Sequence, residues 1–257
     1  MPDEAERVFT VQQLEQAYAR FVEMFGVAPV LRVFVYDTEE AMSQSPLLAY
    51  ANHPSILLFK SRRLIQSQSV SPIPGEFSVL AHEATHKLVM SMAELLIHYA
   101  GVNVQGRRLD TYGHALAPDW LEEAVAILAE KPEEGAQRLE YLRENPGDLI
   151  PLRRLLEMDH PYSGEAAQRL AASLGKELKG LTLLEPPEEM LSLARMYYGQ
   201  VHALGHYIWE TEGPQFFRTA LLAAVRGEPV DAIFASAQRI PRTIEELEST
   251  YLASVFE

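Results

Sequence analysis

The stretch from Glu76 to about Tyr99 is the longest uninterrupted run of helical pattern in the chain, and Pro74-Gly75 mark its start. Val79, Leu80, Leu88, Val89, Leu95 and Leu96 spread apolar surface around most of its circumference, which predicts a mostly buried helix. His82, Glu83 and His86 lie inside it. A polar group taken out of water without a partner costs about 1–3 kcal/mol or more. Any fold of this chain must therefore bury the helix and satisfy those side chains together.

Composition narrows what those partners are. The 257 residues are 47% hydrophobic and 23% charged, the balance of a globular chain long enough for a sizeable core. No cysteine is present, so disulfides, thiolate nucleophiles and cysteine-rich metal sites are excluded. A metal must be held by His, Asp or Glu. The formal net charge of -14 repels phosphate backbones and anionic lipid, which argues against nucleic acid or a membrane surface as partner. No window approaches 18 consecutive apolar residues, so no membrane span is expected. The opening MPDEAERVFT shows no secretory leader, which points to the cytoplasm for the sequence as it stands, with export open if a leader was trimmed. Oligomeric state is not readable.

The pattern along the chain predicts one α+β domain over 1–257: a mixed α/β part over 1–75, with a small N-terminal mixed sheet, and a mainly helical part over 76–257. Leu14, Tyr18, Phe21 and Val22 share helical spacing over 11–25, and Gly26 stands where a helix stops. Pro29 to Tyr36 and Ser55 to Phe59 read as strands. Further helices are expected from Pro118 to about Glu130 and from about Pro187 to Glu210. The region 131–185, broken by Pro146-Gly147, Pro161 and Gly164, is the least regular.

His82-Glu83-Ala84-Thr85-His86 is an H-E-x-x-H arrangement. Histidines four apart lie on one helix face, one turn from each other, and can share one zinc ion at about 2.0–2.1 Å per nitrogen. Glu83 follows the first histidine, beside the coordination position left open, where a carboxylate can act as general base. With eight histidines in the chain, chance would produce the pattern only roughly 0.03 times. A catalytic zinc needs a third protein ligand. Pro118 to Ala126 (PDWLEEAVA) offers Glu123, which shares a face with Trp120 and Ile127, or its neighbour Glu122. Two neutral imidazoles and one carboxylate leave a site with about +1 charge. Metal-bound histidines usually donate their second nitrogen, and Asp119, Glu122 and Glu94 are candidate acceptors. His53, His98 and His114 read as structural or solvent-exposed.

His82-Glu83-x-x-His86 followed by Trp120-Leu121-x-Glu123-Ala124-x-Ala126 resembles the gluzincin metallopeptidases of the peptidase MA-like group, and distantly the catalytic domain of the aminopeptidase N family. The resemblance implies a zincin-like fold, one Zn²⁺ held by His82, His86 and Glu123, and Glu83 as general base. The substrate it implies is a peptide or protein. Ala124 stands where the family usually has Gly. Tyr198-Gly199-Gln200 is similar to the family's Tyr-x-Gln helix, and Ile244 to Glu248 to its closing segment. Related enzymes stabilise the oxyanion with a Tyr or His from a downstream helix, which makes Tyr198 and His202 the candidates here. Nothing resembles the segment with which aminopeptidase N relatives grip a free amine, so exopeptidase specificity is not implied.

Two other readings stand beside this one. Glu83-x-x-His86 and Glu157-x-x-His160 are two E-x-x-H pairs, the unit of di-iron carboxylate bundles, although the second abuts Pro161. A zincin-like fold kept only as a binding or scaffold module is the other; the presence of Glu83 weighs against it.

Overall fold

The computed structural model describes residues 4–61, 64, 78–102, 116–161 and 188–256. The Pro74-Gly75 helix start, His114, Pro187 and the part of 131–185 beyond residue 161 lie outside them. The described chain is α+β and mostly helical. In order it runs through helix α1 (Glu4–Phe25), strand β1 (Arg32–Tyr36), short helix α2 (Glu39–Ser43), a 3-10 turn (Pro46–Tyr50) and strand β2 (Ile56–Lys60). Then come α3 (Val79–Ala100), α4 (Asp119–Leu128), α5 (Pro132–Glu144), a second 3-10 turn (Pro146–Asp148) and α6 (Leu152–Glu157). The chain closes with α7 (Glu188–Thr211), α8 (Gln215–Arg226), α9 (Val230–Ala235) and α10 (Ile244–Phe256).

The sheet differs from the mixed one expected. Among the described residues it has two strands, β1 and β2, running parallel with Arg32 opposite Ile56 and Tyr36 opposite Lys60. The cause is the connection: α2 and the 3-10 turn carry the chain back to the end from which β1 set out, as any parallel pair requires. Leu57 of β2 buries itself with Ala17 of α1 and Leu80, Ala81 and Ala84 of α3. The sheet thus seats the first two turns of α3.

α1 also turns a slightly different face inward than its spacing suggested. Ala17, Phe21, Met24 and Phe25 are buried, with the Phe21 and Phe25 rings stacked at 4.4 Å, while Val22 is exposed. Val22 lies 100° around the helix from Phe21, outside the arc that Ala17, Phe21 and Met24 define. Gly26 ends the helix at a φ of 78°, a left-handed conformation that glycine adopts without a Cβ clash.

α3 packs against α1, β2, α4 and α8, and α4 packs in turn against α7. Every residue of α4 is buried, its three carboxylates included. Trp120 anchors it by stacking on Phe234 of α9 at 5.6 Å; burying a ring of that size contributes at least about 1.5–3 kcal/mol. The α4–α7 approach is set by small residues. A Cβ built on Gly205 would stand 3.4 Å from the Ala124 Cβ, so a larger residue at 124 would push the helices apart.

Candidate metal centre

The first turn of α3 is held by other elements, which fixes the rotation of the histidine face. Helix N-termini leave backbone N–H groups without intrahelical partners. Here the Ser78 N–H donates to Glu134 Oε1 of α5 at 2.8 Å, and the Ala81 N–H to Gln13 Oε1 of α1 at 3.2 Å. The Ser78 hydroxyl accepts from the Lys131 N–H at 3.0 Å. These bonds, with Leu80, Ala81 and Ala84 buried on the sheet side, turn His82 and His86 toward α4.

Glu123 meets them there. His82 Nε2 lies 3.3 Å from Glu123 Oε2, His86 Nε2 lies 3.3 Å from Glu123 Oε1, and the two imidazole nitrogens are 3.0 Å apart. Among the described residues these three form the single group of His and carboxylate atoms that converges tightly enough to hold a metal ion, and all three are buried. Tetrahedral bonds of 2.0–2.1 Å require ligand–ligand distances of about 3.3 Å. The observed spacings fit that requirement. Glu122, the alternative carboxylate, is buried as well, but it is not part of the group. Burial, with Asp119 and Glu123 nearby, pushes its carboxyl well above the ordinary range.

The acceptor behind His82 is Glu130, which replaces Asp119, Glu122 and Glu94 as the expected partner. His82 Nδ1 is 2.7 Å from Glu130 Oε1, and Arg138 of α5 grips both oxygens of that carboxylate through its two terminal nitrogens. A carboxylate behind a histidine keeps a proton on Nδ1, so a cation placed between Glu123 and His86 would displace only the proton on Nε2. Two facing imidazole nitrogens and a carboxylate then surround a space suited to a cation. The charge balance agrees. Burial lowers the His82 pKa, but Glu123 and Glu130 more than reverse this and hold it well above its usual value. Burial raises the Glu123 pKa, yet His86 and His82 draw it well below the carboxylate range.

The sequence pattern runs this helix to about Glu130 without assigning that residue a role; the structure ends it at Leu128. Glu123 and Glu130 are nevertheless seven apart, two turns on one face, and that spacing was the available signal.

Glu83 and Tyr198 reach the same place from two sides. A cleft of about 480 Å³ is lined by His82, Glu83, Glu130, Glu134, Arg138 and Tyr198, with Val79, Tyr141 and Ala194 among its apolar walls. Glu83 is partly exposed on it, one turn before Lys87, whose ammonium donates to the Ala51 carbonyl at 2.8 Å. The Tyr198 ring packs edge-on to His82 at 6.4 Å, and the Arg138 guanidinium carbon lies over the Tyr198 ring, 5.8 Å from its centroid. The rotation of α7 that aims Tyr198 is set by Gln200. Its amide donates to the Ile150 carbonyl at 2.9 Å and the Tyr251 hydroxyl at 3.0 Å, and its carbonyl accepts the Ile150 N–H at 2.7 Å.

His202, one turn beyond Tyr198, is not brought to the group. It is buried against α5, where a Cβ on Gly135 would fall 2.1 Å from its Cε1, and its ring lies 4.4 Å from that of His206. Burial, then His206 and Arg138, push its pKa down to about 3.

His160 arrives instead. Its backbone N–H donates to Asp119 Oδ2 at the start of α4, and its Nε2 lies 2.8 Å from the Tyr198 hydroxyl and 3.5 Å from Glu123 Oε1. Glu157, its partner in the two-pair reading, ends at the surface 3.6 Å from Arg153. Comparisons with family models, curated proteins and solved structures return no match for this chain. No helix among the described residues is long and apolar enough to cross a membrane.

Proposed function

We propose that this chain is a zinc-dependent peptidase of gluzincin type with a zincin-like fold, in which His82, His86 and Glu123 hold one Zn²⁺. One observation carries the reading: three buried ligating side chains, from two packed helices, converge at tetrahedral spacing beside a cleft that Glu83 and Tyr198 also line. When bound, zinc supplies a Lewis acid that lowers the pKa of a water and polarises a carbonyl.

The remaining roles belong to the chain. Glu83 takes a proton from the attacking water as its oxygen bonds to the carbonyl carbon, then gives that proton to the leaving nitrogen as the C–N bond breaks. The Tyr198 hydroxyl donates to the carbonyl oxygen as negative charge develops on it. Glu130, held by Arg138, keeps the His82 ring oriented. The cleft volume falls within the range of about 300–1,000 Å³ common for small-ligand sites, which suits a short stretch of peptide.

Glu83→Gln separates metal binding from hydrolysis. The variant should keep its zinc, by elemental analysis, while cleavage of a broad peptide library falls about 10²–10⁴-fold. Undiminished cleavage by the variant contradicts the role of Glu83. A zinc-loaded wild type that cleaves no peptide in the library contradicts the peptidase reading and favours a binding module.

A further inference from the structure

His160 has no part in the chemistry described so far, yet it touches both halves of the site. Its Nε2 has two oxygens near it: the Tyr198 hydroxyl at 2.8 Å and Glu123 Oε1 at 3.5 Å. A carboxylate oxygen of this kind accepts, so an imidazole lone pair aimed between these two oxygens would repel the one on Glu123. A proton on Nε2 turns that repulsion into attraction and leaves a donor for the hydroxyl oxygen. The consequence for Tyr198 is directional. If its oxygen accepts from His160, its own proton is not spent on that bond and can turn toward the cleft; if it donates to His160, that proton is used there.

We infer that His160, as the Nε2–H tautomer, is a positioning residue that donates to the Tyr198 hydroxyl, so that the tyrosine proton is not spent on His160 and can turn to the carbonyl oxygen of the substrate. This deepens the peptidase reading and rests on it for the substrate. The surroundings are built for such a task. Asp119, one turn before Glu123, fixes the His160 backbone, and the Tyr197 and Tyr198 rings meet the imidazole edge-on at 5.5 and 5.3 Å. Gln200 fixes the helix that carries Tyr198.

Two measurements test the pair. In protein labelled with ¹⁵N-histidine and loaded with zinc, His160 should show a protonated Nε2 and a bare Nδ1, and the Nε2 resonance should move in Tyr198→Phe. A bare Nε2, or a resonance indifferent to Tyr198→Phe, overturns the inference whether or not the protein cleaves peptides.

In turnover, His160→Leu should lower kcat about 10–100-fold with little change in KM and with zinc retained. In a Tyr198→Phe background the same substitution should cost almost nothing more. His160→Gln, whose amide can donate in place of the ring, should recover much of the loss. An equal loss in both backgrounds, or loss of zinc from His160→Leu, shows that His160 acts other than through Tyr198. A wild type without peptidase activity removes the substrate role from the inference and, separately, the reading beneath it, while the nitrogen spectrum still decides the hydrogen bond.

Discussion

Two helices in this molecule carry histidines four residues apart, and their surroundings differ. On α3, His82 and His86 lie with ring centroids 4.7 Å apart and face Glu123, with Glu130 behind His82. On α7, His202 and His206 are as close, at 4.4 Å, but His202 faces the bare backbone of Gly135. Acidity follows the surroundings. His82 is held well above its usual pKa because the carboxylates outweigh burial, whereas burial, His206 and Arg138 take His202 down to about 3. Helical spacing brings two imidazoles together, and the helix packed across from them decides whether a cation is welcome.

Breaking the first pair should have the largest effect. Glu123→Ala should weaken zinc binding by more than the factor of about 10–100 typical for residues behind a ligand, whereas His202→Ala should leave one zinc per chain. Competition with a zinc-sensitive chelator measures both. Loss of zinc from His202→Ala alone would erase the distinction between the pairs.

Glu130→Gln tests the support behind His82. It keeps an acceptor but removes the charge that Arg138 grips, and zinc affinity should fall about 10–100-fold with the fold intact by circular dichroism. An unchanged affinity would make the Glu130–Arg138 pair a structural one.

At the second pair the expected effects are on stability. Gly135→Ala adds a methyl where the His202 ring already stands, so it should cost about 1–3 kcal/mol in chemical denaturation while leaving zinc affinity alone.

The far end of α7 offers the smallest effect and a pH signature. Glu212 accepts backbone N–H groups from Gln238 at 2.6 Å, Ile240 at 2.9 Å and Arg239. Burial raises its pKa, but the N–H groups of Arg239, Ile240 and Gln238 outweigh this and leave it below the ordinary 4.5. A depressed folded pKa gives a contribution that is complete above the unfolded value and is lost as pH falls through the folded one. Glu212→Gln should therefore be less stable than wild type by about 1–3 kcal/mol at pH 7, with the gap closing as pH falls below 4.5. A gap that stays constant with pH would show that Glu212 is not ionised in the fold.

How far the sequence could be read follows from which contacts are periodic. The histidine face of α3 was legible because its apolar pattern and the four-residue spacing lie within one helix. Glu123 was legible as one of two acids because Trp120 and Ile127 mark the inward stripe of α4. Glu130 continues that stripe at the expected end of the helix, but its place behind His82 depends on how α3 packs across from it. His160 carried only the Glu157-x-x-His160 spacing, which pointed to a two-ion site rather than to Tyr198. It follows α6 in a short irregular segment, and Asp119 brings it to the site through a bond 41 residues long in sequence. The order of β1 and β2 was clear from their apolar runs, but their parallel direction depended on the path of the connection.

The most direct test is anomalous diffraction from zinc-loaded crystals, recorded on both sides of the zinc absorption edge. One peak per chain is expected, at about 2.0–2.2 Å from His82 Nε2, His86 Nε2 and a Glu123 oxygen. A peak at His202 and His206 instead, or no peak near Glu123, would contradict the metal centre on which the proposed function rests.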